Sequence, residues 1–198
     1  MSMFTRNKFG LPMALVMIVG LGLLSSQSFA FGSKEKSPEE ESADNGKKAV
    51  NQYNDGVKQM ENAKAIGRKG ESAYAYNYRA TSDAKAKKSF EKAVGNFLDA
   101  LKLKPDMPEA YNNLGFCYRK LGNLDASLKA YEKAIQLKSD FTQAREYRGE
   151  TYLALGDLAK AQGELDTLKI MKSPLADTLS KSIELYQLEK ISEQTKAK

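Results

Sequence analysis

The sequence predicts an all-α protein: a short solenoid of antiparallel helical hairpins with a C-terminal capping helix. Two observations predict it. Ala110, Gly115, Tyr118, Leu121, Gly122, Leu124, Lys138 and Ser139 return 34 residues later as Ala144, Gly149, Tyr152, Leu155, Gly156, Leu158, Lys172 and Ser173. A fixed period of this size belongs to stacked helical units, each burying its apolar face against the next. From Lys48 onward, apolar residues also recur at spacings of three and four, which places them on single helix faces.

The first segment stands apart. Arg6 and Lys8 precede an apolar run from Phe9 to Leu24, a polar stretch follows, and Ser28-Phe29-Ala30 puts small residues at both positions that a signal peptidase reads. Residues 1–30 are therefore expected to be a cleavable signal peptide, with cleavage after Ala30 and a periplasmic or secreted destination. The rival is an uncleaved anchor, but the run falls short of the ~20 apolar residues that a spanning helix needs, and Pro12, Gly20 and Gly22 weaken it. On the cleavable reading, membrane contact is made through this segment alone. Residues 31–47 combine Ser, Pro, Gly and mixed charge with almost no apolar content, so they read as a disordered leader.

The repeat domain is expected over residues 48–173. Ala49, Tyr53, Val57 and Met60 share one face of a first helix, which Gly67-Arg68-Lys69-Gly70 breaks. Glu71 to Lys88 reads two ways. Tyr74, Tyr76 and Tyr78 alternate as in a strand, yet no partner strand is visible, which favours an irregular start running into a helix. Phe90, Ala93, Val94, Phe97, Ala100, Leu101 and Leu103 then form an amphipathic stripe that Pro105 stops, and Pro108 suits the first turn of the next helix.

Residues 109–120 and 124–138 make one hairpin, and about 142–154 and 158–171 make the next. Their turns are Leu121-Gly122-Asn123 and Leu155-Gly156-Asp157. In each, Gly takes the left-handed conformation and the following Asn or Asp caps the next helix. A last helix, from about 174 to 192 with a tail to 198, carries Leu175, Leu179, Ile183 and Tyr186 on one face. It is expected to cover the end of the stack.

Composition narrows the function classes. The chain has no His and one cysteine, Cys117, which removes the commonest general base near neutral pH, any intrachain disulfide and any thiolate metal cluster. No catalytic residue, metal site or cofactor is expected, and an enzyme is the least supported class. The formal net charge of +6 falls to +4 without Arg6 and Lys8, a mild basicity that does not mark a nucleic-acid binder. Lys85, Lys87, Lys88 and Lys92 form a local basic patch that reads as a solvated face, with contact to anionic polymers or headgroups as its rival. Cys117 reads as a small core residue.

The repeat resembles the tetratricopeptide (TPR) family. Tyr111, Leu114-Gly115, Tyr118, Ser127, Tyr131, Ala134 and Ser139 fill the family's places, with Tyr for Trp and Ser for the small Ala and for Pro. The next copy keeps Gly149, Tyr152 and Ala161 but has Arg145 and Arg148 at places normally apolar, with Leu165 and Leu168 at the Phe and Ala places. Upstream, Ala93, Phe97, Ala100 and Pro105 match the second helix of a copy, whose first helix is inferred to be Lys48–Ala65, with 67–80 as an insertion. The run YNNLGFCYRKLG is also similar to small exported bacterial repeat proteins.

The resemblance implies a concave groove lined by the first helix of each repeat. Helical spacing then places Glu109, Asn112, Phe116, Arg119, Gln143, Glu146, Glu150 and Leu153 along it. An extended peptide or a helix is expected there, with Phe116 as anchor. The alternatives stay open: Phe116 packs against a neighbouring helix, and Arg119, Lys120, Glu146 and Glu150 are ordinary surface charges. Chaperone tails are not expected, because Gln143 and Tyr147 occupy places where basic residues would hold a carboxylate. The expected function is a non-enzymatic protein-interaction adaptor of the bacterial envelope with an unidentified protein or peptide partner. The other reading is a self-associating envelope component that oligomerises through its terminal helices.

Overall fold

The computed structural model describes residues 36–67 and 80–196. The signal segment, residues 31–35, Tyr74, Tyr76 and Tyr78 lie outside these. Among the described residues there are seven helices and no strand: α1 Pro38–Gly67, α2 Ala84–Leu103, α3 Pro108–Lys120, α4 Leu124–Leu137, α5 Thr142–Leu155, α6 Leu158–Ile170 and α7 Leu175–Lys196. Consecutive helices pack as antiparallel neighbours. α1 with α2, α3 with α4, and α5 with α6 form three hairpins, and α7 lies against both α5 and α6. No helix among the described residues is long and apolar enough to cross a membrane.

The first helix starts earlier than its apolar pattern. Residues 38–47, expected to be part of a disordered leader, are helical. The cause is local chemistry. Ser37 Oγ accepts from the Glu40 backbone N–H at 3.2 Å while Glu40 Oε2 accepts from the Ser37 N–H at 3.0 Å, a reciprocal capping box. Pro38 sits where its missing N–H is not needed. Glu39, Glu40 and Glu41 oppose the positive end of the helix dipole, and Asp44 bridges Lys36 and Lys48 at 2.6 and 3.0 Å. Low apolar content measures how little such a segment can bury, and says nothing of capping.

The inferred pairing of Lys48–Ala65 with the Phe90 stripe is present. Ala49, Met60 and Ala63 are buried, and so are Phe90, Ala93, Phe97, Ala100 and Leu101. Gly56 is required here by close approach, since a Cβ at that position would lie 2.7 Å from the Phe97 ring. Phe90, Phe97, Leu114, Phe116 and Cys117 continue into one core cluster spanning α1 to α3. A second cluster of Leu153, Leu165, Leu168, Leu179 and Ile183 holds α5, α6 and α7 together. Between them, Tyr131, Ala134 and Ala144 join the middle hairpin to the last one. Burial pushes the Cys117 thiol well above its usual range, which fits an inert core residue.

Both repeat turns take the expected form. Gly122 and Gly156 have φ of 83° and 81°, and Asn123 and Asp157 accept from the Ala126 and Lys160 N–H groups at 3.4 and 3.1 Å. Replacing Asn123 by Ala should cost about 1 kcal/mol and replacing it by Gly only a few tenths, measured by urea unfolding. Equal losses for the two would sink the capping role. The last helix begins one residue late, at Leu175, whose N–H donates to Ser173 Oγ at 3.2 Å, and it runs on to Lys196. Leu179 and Ile183 are buried on the expected face, whereas Leu188 and Ile191 are each 57% exposed.

Candidate partner-binding face

The first helices of the three hairpins, α1, α3 and α5, stand side by side, and a string of amide and phenol groups crosses them. Tyr53 on α1 accepts from Asn113 Nδ2 at 3.3 Å. On α3, Asn112 Nδ2 reaches Asn113 Oδ1 at 3.4 Å and, across to α5, Gln143 Oε1 at 3.5 Å. Gln143 Nε2 in turn donates to Tyr147 Oη at 3.4 Å. All of these distances lie at the long end of hydrogen bonding, so the string is weakly held.

The expected groove residues fall on this face, but most are not open to a ligand. Glu109 and Gln143 are exposed. Asn112, Phe116, Arg119, Glu146, Glu150 and Leu153 are at most 4% exposed. The prediction of one continuous open groove through all eight is thus corrected, and the alternative for Phe116 holds. Its ring is 6.0 Å from that of Phe90 and 5.4 Å from that of Tyr147, and Lys64 Nζ from α1 sits 4.7 Å over it. Ile66, at the end of α1, packs against the same cluster. The face is filled in part because α1 runs far enough to bring Lys64 over the Phe116 ring. An open cleft of about 320 Å³ remains near Leu153, with Ala80, Gly122, Leu124 and Tyr186 around it.

The reading of Arg119, Lys120, Glu146 and Glu150 as surface charges is corrected too, since none is more than 3% exposed. Arg119 Nη2 lies 3.0 Å from Glu150 Oε2. Its guanidinium is 5.2 Å from the Phe116 ring centre and 5.5 Å from that of Tyr147. Burial, the largest single influence, works against the charged guanidinium, but Glu150, Tyr131 and Tyr147 together outweigh it and hold Arg119 above its ordinary value. Burial first, then the charge of Glu150, push the Glu146 carboxyl up to about 9. Burial, then Glu146 and Glu150, push the partly buried Tyr147 up to about 12, and burial also raises Tyr131.

The sequence reading missed Lys64, Tyr53 and Tyr131 as neighbours of this face. Tyr53 and Asn113 are 60 residues apart, so no local pattern joins them.

Models described as "Tetratricopeptide repeat" and "TPR repeat" match residues 108–141 and 85–122 respectively. Residues 85–141 thus carry tetratricopeptide repeats. Gly115 shows why the repeat needs a glycine at that place: a Cβ there would lie 2.7 Å from the Tyr131 ring, where the two helices of the hairpin touch. The worn third repeat substitutes ions for apolar contact, Arg148 Nε donating to Glu164 Oε1 at 2.8 Å with Arg145 at 3.7 Å from the other oxygen.

Over 72 residues the chain is 35% identical to the Hsp70-Hsp90 organizing protein 3 of Arabidopsis thaliana, covering 36% of this chain and 13% of that relative's length. Among solved tetratricopeptide structures it is similar to the Arabidopsis OM64 TPR domain, with TM-score 0.46 and 19% identity over 65% of this chain and 98% of that one. It is also similar to the first TPR of Spaghetti (RPAP3) bound to an HSP90 peptide, with TM-score 0.47 and 14% identity over 69% and 95%.

Proposed function

We propose that this chain is a non-enzymatic, exported adaptor of the bacterial envelope that holds a protein segment along the rim of its tetratricopeptide face. The observation that carries this is the string Tyr53–Asn113–Asn112–Gln143–Tyr147 across three neighbouring first helices. The accessible amides of Asn113 and Gln143, held by long hydrogen bonds, can exchange those partners for the main-chain N–H and C=O of an extended peptide at little net cost, with buried Asn112 joining them from beneath. The buried Phe116 and Arg119 then serve as floor, not anchor. The basic and apolar first segment supports the export.

Chaperone-tail binding is not the favoured reading. Gln143 and Tyr147 stand where cations are needed, and Arg119 is already engaged by Glu150. A photo-crosslinking group at exposed position 109 tests the proposal in cells. We expect a defined adduct that disappears in the Asn113→Ala, Gln143→Ala double variant. An unchanged adduct pattern in that variant would sink the rim assignment.

Self-association is the second reading, favoured by exposed Leu188 and Ile191 on α7. Light scattering of the chain from residue 31 onward separates the two, since a clean monomer at tens of micromolar counts against association of useful strength.

A further inference from the structure

The solvent face of α2 carries charge that the fold does not call for. Lys85, Lys87, Lys88 and Lys92 all lie in the first half of this helix, all are exposed, and Glu91 is the one acid in that half. Lys85 and Lys87 stand in the first turn, which holds no acid and where the positive end of the helix dipole disfavours cations. Lys85, Lys88 and Lys92 follow one another at spacings of three and four, so these like charges share one strip and repel. The strip faces away from buried Ala86, Phe90, Ala93 and Phe97. Among the described residues, no carboxylate forms an ion pair with any of the four lysines. The nearby acids are used elsewhere. Asp83 Oδ1 accepts from the Ala86 N–H at 2.8 Å as the helix cap. Glu61, on the part of α1 that Asn62 ties to Ser89 of α2, pairs with Lys64 at 2.9 Å. Further along α2, by contrast, Lys102 is paired with Asp99 at 2.8 Å.

We propose that this strip is a docking surface for an anionic phospholipid bilayer. Its chemistry selects that partner over the others that a basic patch could serve. α2 has no arginine, so the planar fork that grips a single phosphate or carboxylate is missing. Its two aromatic residues, Phe90 and Phe97, are fully buried, which leaves nothing for nucleic-acid bases to stack on. Lysine is also a residue that protein interfaces disfavour. Hydrated ammonium groups on long flexible stems instead suit a diffuse layer of negative headgroups, where each adds about a fivefold gain in binding that salt removes. The apolar face of α2 is already packed against α1 and α3, so the contact is peripheral and electrostatic, without insertion. Membrane contact is then not confined to the first segment of the chain. α2 is a second helix, so the strip lies off the rim, and a docked chain keeps its partner site free. That last step rests on the proposed function, and the docking itself does not.

Co-sedimentation with vesicles tests the docking. The chain from residue 31 onward keeps the whole compact unit Lys36–Lys198 and takes the apolar first segment out of the assay. At about 50 mM salt, vesicles of roughly 30% phosphatidylglycerol in phosphatidylcholine should bind it at least about tenfold better than phosphatidylcholine alone, and about 500 mM salt should abolish the difference. The triple variant Lys85→Gln, Lys88→Gln, Lys92→Gln should lose about tenfold or more. A control, Lys129→Gln, Lys133→Gln, Lys169→Gln, removes the same charge from exposed positions of α4 and α6. It should lose less than about threefold. The thermal midpoint of the first variant should hold or rise slightly, because repulsion within the strip is relieved. The proposal is overturned if the two variants bind alike, if vesicle charge makes no difference, or if poly-L-glutamate is bound while the vesicles are not. A lowered midpoint in the first variant would make these lysines part of the fold and overturn it too. The adduct at position 109 is read in a separate experiment, so either result can fail without the other.

Discussion

Arg119→Ala should lower the unfolding free energy by about 3–5 kcal/mol, far more than a surface arginine would. The reason is the charge left behind. Arg119 and Glu150 are both fully buried and 3.0 Å apart, so removing the guanidinium takes a buried countercharge from a carboxylate that water does not reach. The variant also loses the packing of the guanidinium between Phe116 and Tyr147. A paired substitution, Arg119→Met with Glu150→Leu, should recover most of the loss, because it removes that carboxylate too and keeps the volume. Urea unfolding of the three proteins checks this. A loss below about 1 kcal/mol in the single variant would place Arg119 in solvent instead.

Phe97→Ala should cost about 3–5 kcal/mol. The ring is fully buried, rests on Gly56 in the close approach that leaves no room for a Cβ, and lies 5.8 Å from the ring of Tyr53. It is therefore a main contact by which α1 is seated on α2, although the two helices are well separated in the chain. If α1 were not seated, the ring would be half exposed and its removal would cost about 1 kcal/mol, within reach of the same urea experiment. The comparison tests the pairing of the first hairpin directly.

Which features were legible in the sequence follows from the range of the forces involved. The turns at Gly122 and Gly156, the stop at Pro105 and the start at Pro108 each depend on a few neighbouring residues, and all appear as read. The core stripe of α2 was legible because helical spacing reports a shared face. The early start of α1 was also encoded locally, in the Ser37–Glu40 box and the Lys36–Asp44–Lys48 bridge, but an argument from apolar content looks past both.

The candidate face was half legible. Spacing identified which residues of α3 and α5 point inward. It could not show that Lys64 arrives from another helix to cover Phe116, or that Arg119 and Glu150, 31 residues apart, pair with each other. A charged residue on an amphipathic helix carries no mark in sequence that separates a solvated side chain from a buried, paired one. The same holds for Arg145 and Arg148, which look like damage to the repeat until Glu164 is seen between them.

The filled hollow between α1, α3 and α5 has a consequence for how this chain comes apart. In an open array each unit touches only its neighbours, so units can be lost from an end one at a time. Here Phe116 belongs to the cluster of α1, α2 and α3 while its ring also meets Tyr147 on α5, and Tyr147 in turn packs with Tyr131 on α4. Loss of the last repeat would strip cover from residues of the first, so the repeats should melt together in one sharp transition, behaving thermodynamically as a globule that happens to be written as a repeat.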